Sequence, residues 1–417
     1  MPKLGTADAK GVYRLMLFDL SVGGHHGSYI QHLINYWCEQ ELPGRMDIVV
    51  LPKFMQQHSE VVDIALSCPH KNINFVAITA QEEAALKSRE SSLNRAFRAF
   101  QEWKLLRKYA VSLLADRCLI MYFDTCQLPL VLGATLPCSF SSIYFRPTFH
   151  YSDFANYIPS KKERLQQLRE KFFLSRIFHN PHLKTLFCLD PFALKHLDKF
   201  PSQVKTVHLP DPVQISTSPE IQSGNLKKNL AIHPDRQVFL LFGSLTDSRK
   251  GIHQLLEAVA MLPSNLCEKL CLLFVGEANS IERVPLESHI AAVSQLKPVQ
   301  IISRYEFVPE RDVQAYFQLT DVVLAPYQRH VGMSGILLLA AAAQKPVLSS
   351  NYGLMGKIVQ HYSLGLTVDS TVPGEIAQGL TRFLLESPAK FGDRSKMKAF
   401  AEQNSAEEFA RIIFQHI

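Results

Sequence analysis

Short apolar runs alternate with longer amphipathic stretches along most of this chain. Residues 13–20 form a β-rich apolar run. Gly23-Gly24-His25-His26-Gly27 breaks it, and residues 29–41 then carry apolar positions at helical spacing. Runs at 46–51, 73–78, 118–123, 138–145 and 185–189 read as further strands, and 82–114 and 161–178 as long helices between them. The alternation restarts after Leu209-Pro210-Asp211-Pro212-Val213, with strands at 238–242, 270–275, 299–302 and 322–325 and a helix at 251–262. Strand–helix alternation predicts an α/β protein with parallel sheets covered on both faces. Two such series predict two Rossmann-like domains, over 1–212 and 213–400, with a hinge near 210–228. Their sheets are expected to face each other across a cleft, and ligands to bind outside the carboxyl ends of the strands. The last helix, within 401–417, is expected to pack back on the first domain.

Composition changes this picture little. The 417 residues are 47% hydrophobic and 20% charged, ordinary for a globular chain of two domains, and no apolar tract is long enough for a membrane span. Residues 1–10 are polar and lack the apolar core of a secretory signal. Eight scattered cysteines suggest a reduced, cytoplasmic protein. The formal charge of +6 favours anionic partners. Neither an RNA-binding glycine-aromatic motif nor zinc-finger spacing is present, so no nucleic-acid partner is expected. No metal or cofactor is expected either, since His25-His26 lacks further ligands and Cys267 and Cys271 lack a partner pair.

Two segments carry chemistry most clearly. In Phe242-Gly243-Ser244 a buried strand ends in glycine, and Arg249-Lys250-Gly251 then places two cations before a helix. Cations at the carboxyl end of a strand can neutralise a leaving diphosphate. In His330-Val331-Gly332-Met333-Ser334-Gly335-Ile336 a helix opens on small residues, where free backbone amides and the helix dipole favour an anion. Met333 and Arg329 flank that anchor, and the loop with Glu306 and Phe307 follows another strand. In the first half, Gly24 lets backbone approach a ligand, with His25 and His26 beside it. Asp124 sits at a strand end, and Arg146 and His150 follow the next strand. A bland reading accompanies each: tight turn, helix cap, or packed loop. The stretch 86–114 mixes Arg and Lys with Phe97, Phe100 and Trp103, either as a surface helix or as one resting on anionic lipid.

The order of strand-Gly243, Arg249-Lys250-Gly251, Asp321–Pro326, Ser334-Gly335 and Gln344-Lys345-Pro346-Val347 resembles that of family 4 glycosyltransferases over about residues 238–369. The resemblance implies the GT-B fold and a sugar moved from a nucleoside diphosphate donor to a glycan or lipid-linked acceptor, without a metal and with retention at the anomeric carbon. It implies Lys250, Arg249, Asp124 and His26 as catalytic residues. Donor contacts are implied at Gly24, Gly243, Ser244, Glu306, Phe307, Arg329, Met333, Ser334, Gly335 and Ile336, and acceptor contacts at His25, Arg146 and His150. Asp190 and Asp211 read as turn and hinge punctuation. The family's pair of glutamates is absent, because Val331 and Leu339 occupy those positions. That departure keeps two alternatives open: an inactive nucleotide-sugar or partner-binding protein, and a nucleotide-sugar epimerase of the same fold. Peripheral contact with the inner face of an anionic membrane is a further expectation.

Overall fold

The structure, a computed structural model, describes residues 13–154, 157–212, 226–245 and 247–417. It divides into two α/β units, one formed by Met1–His150, Pro159–Pro212 and Ala406–Ile417, the other by Tyr151–Ile158 and Val213–Ser405. The hinge expected near 210–228 falls mostly outside the described residues.

The first unit is built on seven strands: β1 (Arg14–Phe18), β2 (Arg45–Val50), β3 (Ile73–Ala77), β4 (Arg117–Ile120), β5 (Ser139–Tyr144), β6 (Leu183–Cys188) and β7 (Lys205–His208). They pair in parallel in the order β3-β2-β1-β4-β5-β6-β7, so the winding direction reverses between β1 and β4. Burial on both faces explains why the central strands read as continuous apolar runs. Met16 and Phe18 enter one core, and Leu15 and Leu17 enter the other. Phe409, Ile413 and Phe414 of the helix Ala406–His416 join the second core, and the Phe409 ring lies 5.0 Å from that of Tyr29.

Two expectations need correction here. The stretch 82–114 is two helices, Ala80–Ala85 and Ser92–Ser112. The polar residues between them favour a cap over helix continuation, and the Ser91 side chain accepts from the Asn94 amide to start the second helix. The cysteines are not all reduced: Cys38 and Cys68 are bridged, their Cα atoms 5.7 Å apart. Among the described residues no helix is long and apolar enough to cross a membrane.

The second unit carries β8 (Gln237–Phe242), β9 (Leu270–Val275), β10 (Gln300–Arg304), β11 (Val322–Ala325), β12 (Val347–Ser350) and β13 (Gly365–Val368). Their parallel order is β10-β9-β8-β11-β12-β13, and the reversal falls between β8 and β11. The Leu/Ala run becomes the helix Gly335–Ala342, buried at Ile336, Leu337, Leu338, Ala340 and Ala341. A helix apolar all round has no exposed stripe, which accounts for its missing periodicity. β7 and β13 escape the sequence pattern because each is a short edge strand, half-buried and partly polar.

Candidate functional site

In doubly wound sheets the loops that leave adjacent strands in opposite directions open a crevice where the winding reverses. In the second unit those loops follow β8 and β11. Gly243 leaves β8 with φ of 108°, a region side-chain-bearing residues avoid. Asp247 then caps the short turn Ser248–Lys250 by accepting from the Arg249 amide. Gly251, at φ of 70°, starts the helix Ile252–Met261, and a Cβ there would sit 2.2 Å from the Pro326 carbonyl oxygen. The loop after β11 is therefore pressed against this turn, and Gln328 N donates to Arg249 O at 2.7 Å.

Lys250 lies across the β8 exit. Its Nζ donates to the Phe242 carbonyl at 3.0 Å and to the Tyr327 hydroxyl, and stands 4.4 Å over the Tyr327 ring. A Cβ on Gly243 would come within 2.9 Å of that Nζ, so the glycine leaves room for the ammonium. Arg249 is placed differently. Its guanidinium grips Asp247 through Nε and Nη2, the latter at 2.6 Å, and this ion pair holds Arg249 protonated and the Asp247 carboxyl below its usual range. Ser244 is exposed beside the turn.

The loop after β11 leads to the second anchor. Arg329 has left-handed backbone (φ 44°), with its guanidinium carbon 4.9 Å over the Tyr352 ring. The Gly332 amide donates to the Tyr151 hydroxyl at 3.1 Å, and the Met333 carbonyl lies 3.4 Å from His330 Nε2. Ser334 then opens the helix without a side-chain capping bond, and a Cβ on Gly335 would meet nothing within 4 Å. The amides of Gly335 and Ile336 belong to the first turn, where intrahelical acceptors run out. Glu306 and Phe307 lie exposed after β10, at the sheet edge and two strands away from β8. Val331 and Leu339 are both half-buried, and neither side chain can accept a hydrogen bond.

The reversal in the first unit lies between β1 and β4. Asp19 follows β1, and its carboxylate accepts from the Ser21 amide at 2.9 Å and meets His26 Nδ1 at 2.5 Å. The Asp19 carboxylate thereby fixes the orientation of the His26 ring. His25 stacks on His26 (5.2 Å) and on Phe145 (5.3 Å). Loss of water around its ring, then His26 and Arg146, push its pKa down to about 4. Gly24 has φ of 74° and open space where a Cβ would be.

Both Asp124 oxygens are already engaged by backbone. Its carboxylate accepts from the Phe145 and Arg146 amides at 3.0 and 3.2 Å, clamping the loop after β5. Burial pushes it up to about 6, and the Phe145 amide and the Arg146 charge pull back. Arg146 is exposed on that loop. His150 is a correction: its side chain is fully buried, with Nε2 3.0 Å from an equally buried Asp190, so an acceptor cannot reach it. Asp190 and Asp211 are also more than punctuation. Asp211 accepts from the Tyr29 hydroxyl, and burial raises it to about 6.

The fold therefore joins Lys250, Gly243 and Tyr327 around one loop pair, and joins His25, His26 and Asp19 around another. Asp19 escapes the sequence reading because it sits at the end of an apolar run and belongs to no motif; Tyr327 reads as an aromatic beside the sugar pocket, and its bond to Lys250 escapes because 77 positions separate the two. A carboxylate just after the first strand was the available signal for Asp19.

Residues 222–404 match the family model described as Glycosyl transferases group 1. Solved structures share the fold along nearly the whole chain. A glycosyltransferase from Rickettsia africae matches with a TM-score of 0.65 at 12% identity, covering 97% of this chain and 98% of that one. Sucrose-phosphate synthase from Thermosynechococcus elongatus gives 0.67 at 16%, again over 97% and 98%. The Anabaena protein HepE, in complex with UDP and glucose, gives 0.61 at 15% over 97% and 98%. No curated protein matches the sequence. The two parallel-sheet α/β units are those of the GT-B fold.

Proposed function

We propose that the chain is a glycosyltransferase that moves a sugar from a nucleoside diphosphate sugar to a glycan or lipid-linked acceptor. The observation that carries this is Lys250, held at the exit of β8 by Tyr327 from the exit of the adjacent β11. An ammonium there, with the open helix start at Ser334-Gly335, supplies positive charge where a diphosphate leaves. In the reaction the bond from the anomeric carbon to the diphosphate oxygen breaks and the diphosphate takes the electron pair. An acceptor hydroxyl oxygen forms the new bond and gives up its proton. We assign charge neutralisation to Lys250 and the helix amides rather than to a metal. Arg249 acts chiefly on Asp247, shaping the turn that presents Lys250. The solved relative holding UDP and glucose supports a nucleotide sugar as donor.

Retention follows from the resemblance, with the acceptor proton passing to the leaving phosphate oxygen. The Asp19–His26 pair favours a second stereochemical course, because a histidine oriented by a carboxylate is the arrangement of a general base. A base on the acceptor hydroxyl would invert the anomeric carbon. Proton NMR of the product anomer separates the two. The half-buried Val331 and Leu339 favour a binding-only reading. A panel of nucleotide sugars, scored by thermal shift and by nucleotide release, tests all of these. Release with transfer supports the enzyme, shift without release supports the binding protein, and isomerised sugar without an acceptor supports an epimerase.

A further inference from the structure

The first unit contains a cleft of about 370 Å3 that none of the expected site residues but Asp124 touches. Four arginines line it: Arg89 from the segment before the helix Ser92–Ser112, Arg95 and Arg98 from the first turns of that helix, and Arg169 from the helix Lys161–Ile177. Thr125 and Gln127, from the start of the helix Phe123–Val131 that follows β4, complete its polar wall. Two carboxylates oppose the four cations. Glu102 takes Arg89 at 2.9 Å and Arg98 at 2.6 Å. Asp124 is occupied by two backbone amides. Neither Arg95 nor Arg169 has a carboxylate within ion-pair distance among the described residues; Arg95 donates to the Arg89 and Glu90 carbonyls, and Arg169 rests 5.7 Å over Phe173. Positive charge is thus gathered around a void with one ion-pairing carboxylate to balance it, an arrangement that suits a bound oxyanion. The volume is that of a small-molecule site.

The cleft also leads somewhere. Arg89, Glu102 and Thr125 line both it and a narrow hollow whose walls include Asp19, Ser21 and Tyr122, and Arg89 donates to Ser21 Oγ at 3.2 Å. Asp19 is the partner of His26. We infer that this cleft binds a phosphate group on the acceptor, with Arg95 and Arg169 as its principal contacts and the acceptor's remaining atoms extending toward Asp19 and His26. The assignment to the acceptor rests on the proposed transfer reaction; the anion site itself does not. The phosphate belongs either to a soluble phosphosugar or to a lipid headgroup, since Leu93 and Phe97 lie exposed beside Arg95 and Arg98.

The test is calorimetric binding of inorganic pyrophosphate to the full chain in a Lys250→Ala background, which silences the donor anchor. Binding should persist there and weaken at least about tenfold when Arg95→Gln and Arg169→Gln are added, with melting temperature unchanged since both side chains are exposed. Displacement by glucose 6-phosphate supports the site with a soluble ligand, and displacement by phosphatidic acid vesicles supports it with a lipid one. Pyrophosphate binding that vanishes with Lys250→Ala alone, or that ignores both arginine changes, overturns the site. Failure of the donor reading would show separately, as nucleotide release that survives Lys250→Ala.

Discussion

Replacing Gly243 by Ala separates the role of Lys250 from the stability of the loop that holds it. The new Cβ would stand 2.9 Å from Lys250 Nζ and 3.4 Å from its Cε, and φ at this position is 108°. The backbone strain costs about 1–3 kcal/mol of folding stability. The Cβ clash is with the far end of a flexible side chain, so Lys250 moves, abandoning its 3.0 Å bond to the Phe242 carbonyl. If that ammonium binds the donor diphosphate, one charged hydrogen bond worth about 1.5–3 kcal/mol is lost, and affinity falls roughly 10- to 150-fold. Calorimetric titration with the nucleoside diphosphate that the chain prefers reads the affinity, and urea unfolding reads the stability. In a Lys250→Met background the same glycine change should cost the same stability and no further affinity. Full affinity in Gly243→Ala, or an equal additional loss in the double variant, would refute the placement of the ammonium at the diphosphate.

Gly251→Ala meets backbone rather than a flexible side chain, 2.2 Å from the Pro326 oxygen, so it should destabilise by about 2–4 kcal/mol in urea unfolding; a change under about 0.5 kcal/mol would contradict the packing of the two loops. Arg249→Gln should alter nucleoside diphosphate affinity less than about threefold, because Asp247 already occupies the guanidinium; a loss as large as that of Lys250→Ala would make Arg249 a direct phosphate contact. Asp211 is raised by burial to about 6, so the folded chain binds this proton more tightly than the unfolded one, whose carboxyl titrates near 4. Its stabilising contribution is complete below about pH 4 and is lost as pH rises to about 6, by at most about 3 kcal/mol. Asp211→Asn should flatten that part of the curve of urea midpoint against pH, leaving the similar fall from Asp124; parallel curves for the two proteins would refute the assignment.

Much of the architecture was legible because buried parallel strands leave unbroken apolar runs, as at Leu270–Val275. The expected α/β class and the strand ends bearing Gly243 and Asp124 follow from that pattern. What the pattern lacked was partnership across the fold. Asp124 and Arg249 carry the right chemistry in the right loops, yet each spends it on a neighbour: two amides in one case, Asp247 in the other. His150 reads as a loop histidine among aromatics and is instead sealed against Asp190, forty positions away. Local sequence shows which groups reach a strand end and not which of them remain available there. The break at 86–91 was hidden for a different reason, since its Leu, Lys, Arg and Glu are good helix formers and only its serines favour a cap.

The central claim is that Lys250 stabilises a departing nucleoside diphosphate. Its most direct test is release of nucleoside diphosphate from a panel of nucleotide sugars by the wild type and by Lys250→Ala, compared at matched melting temperature. The wild type should release nucleoside diphosphate from one donor, and the variant should lose about 100-fold or more of that rate. Equal release by the two proteins would contradict it.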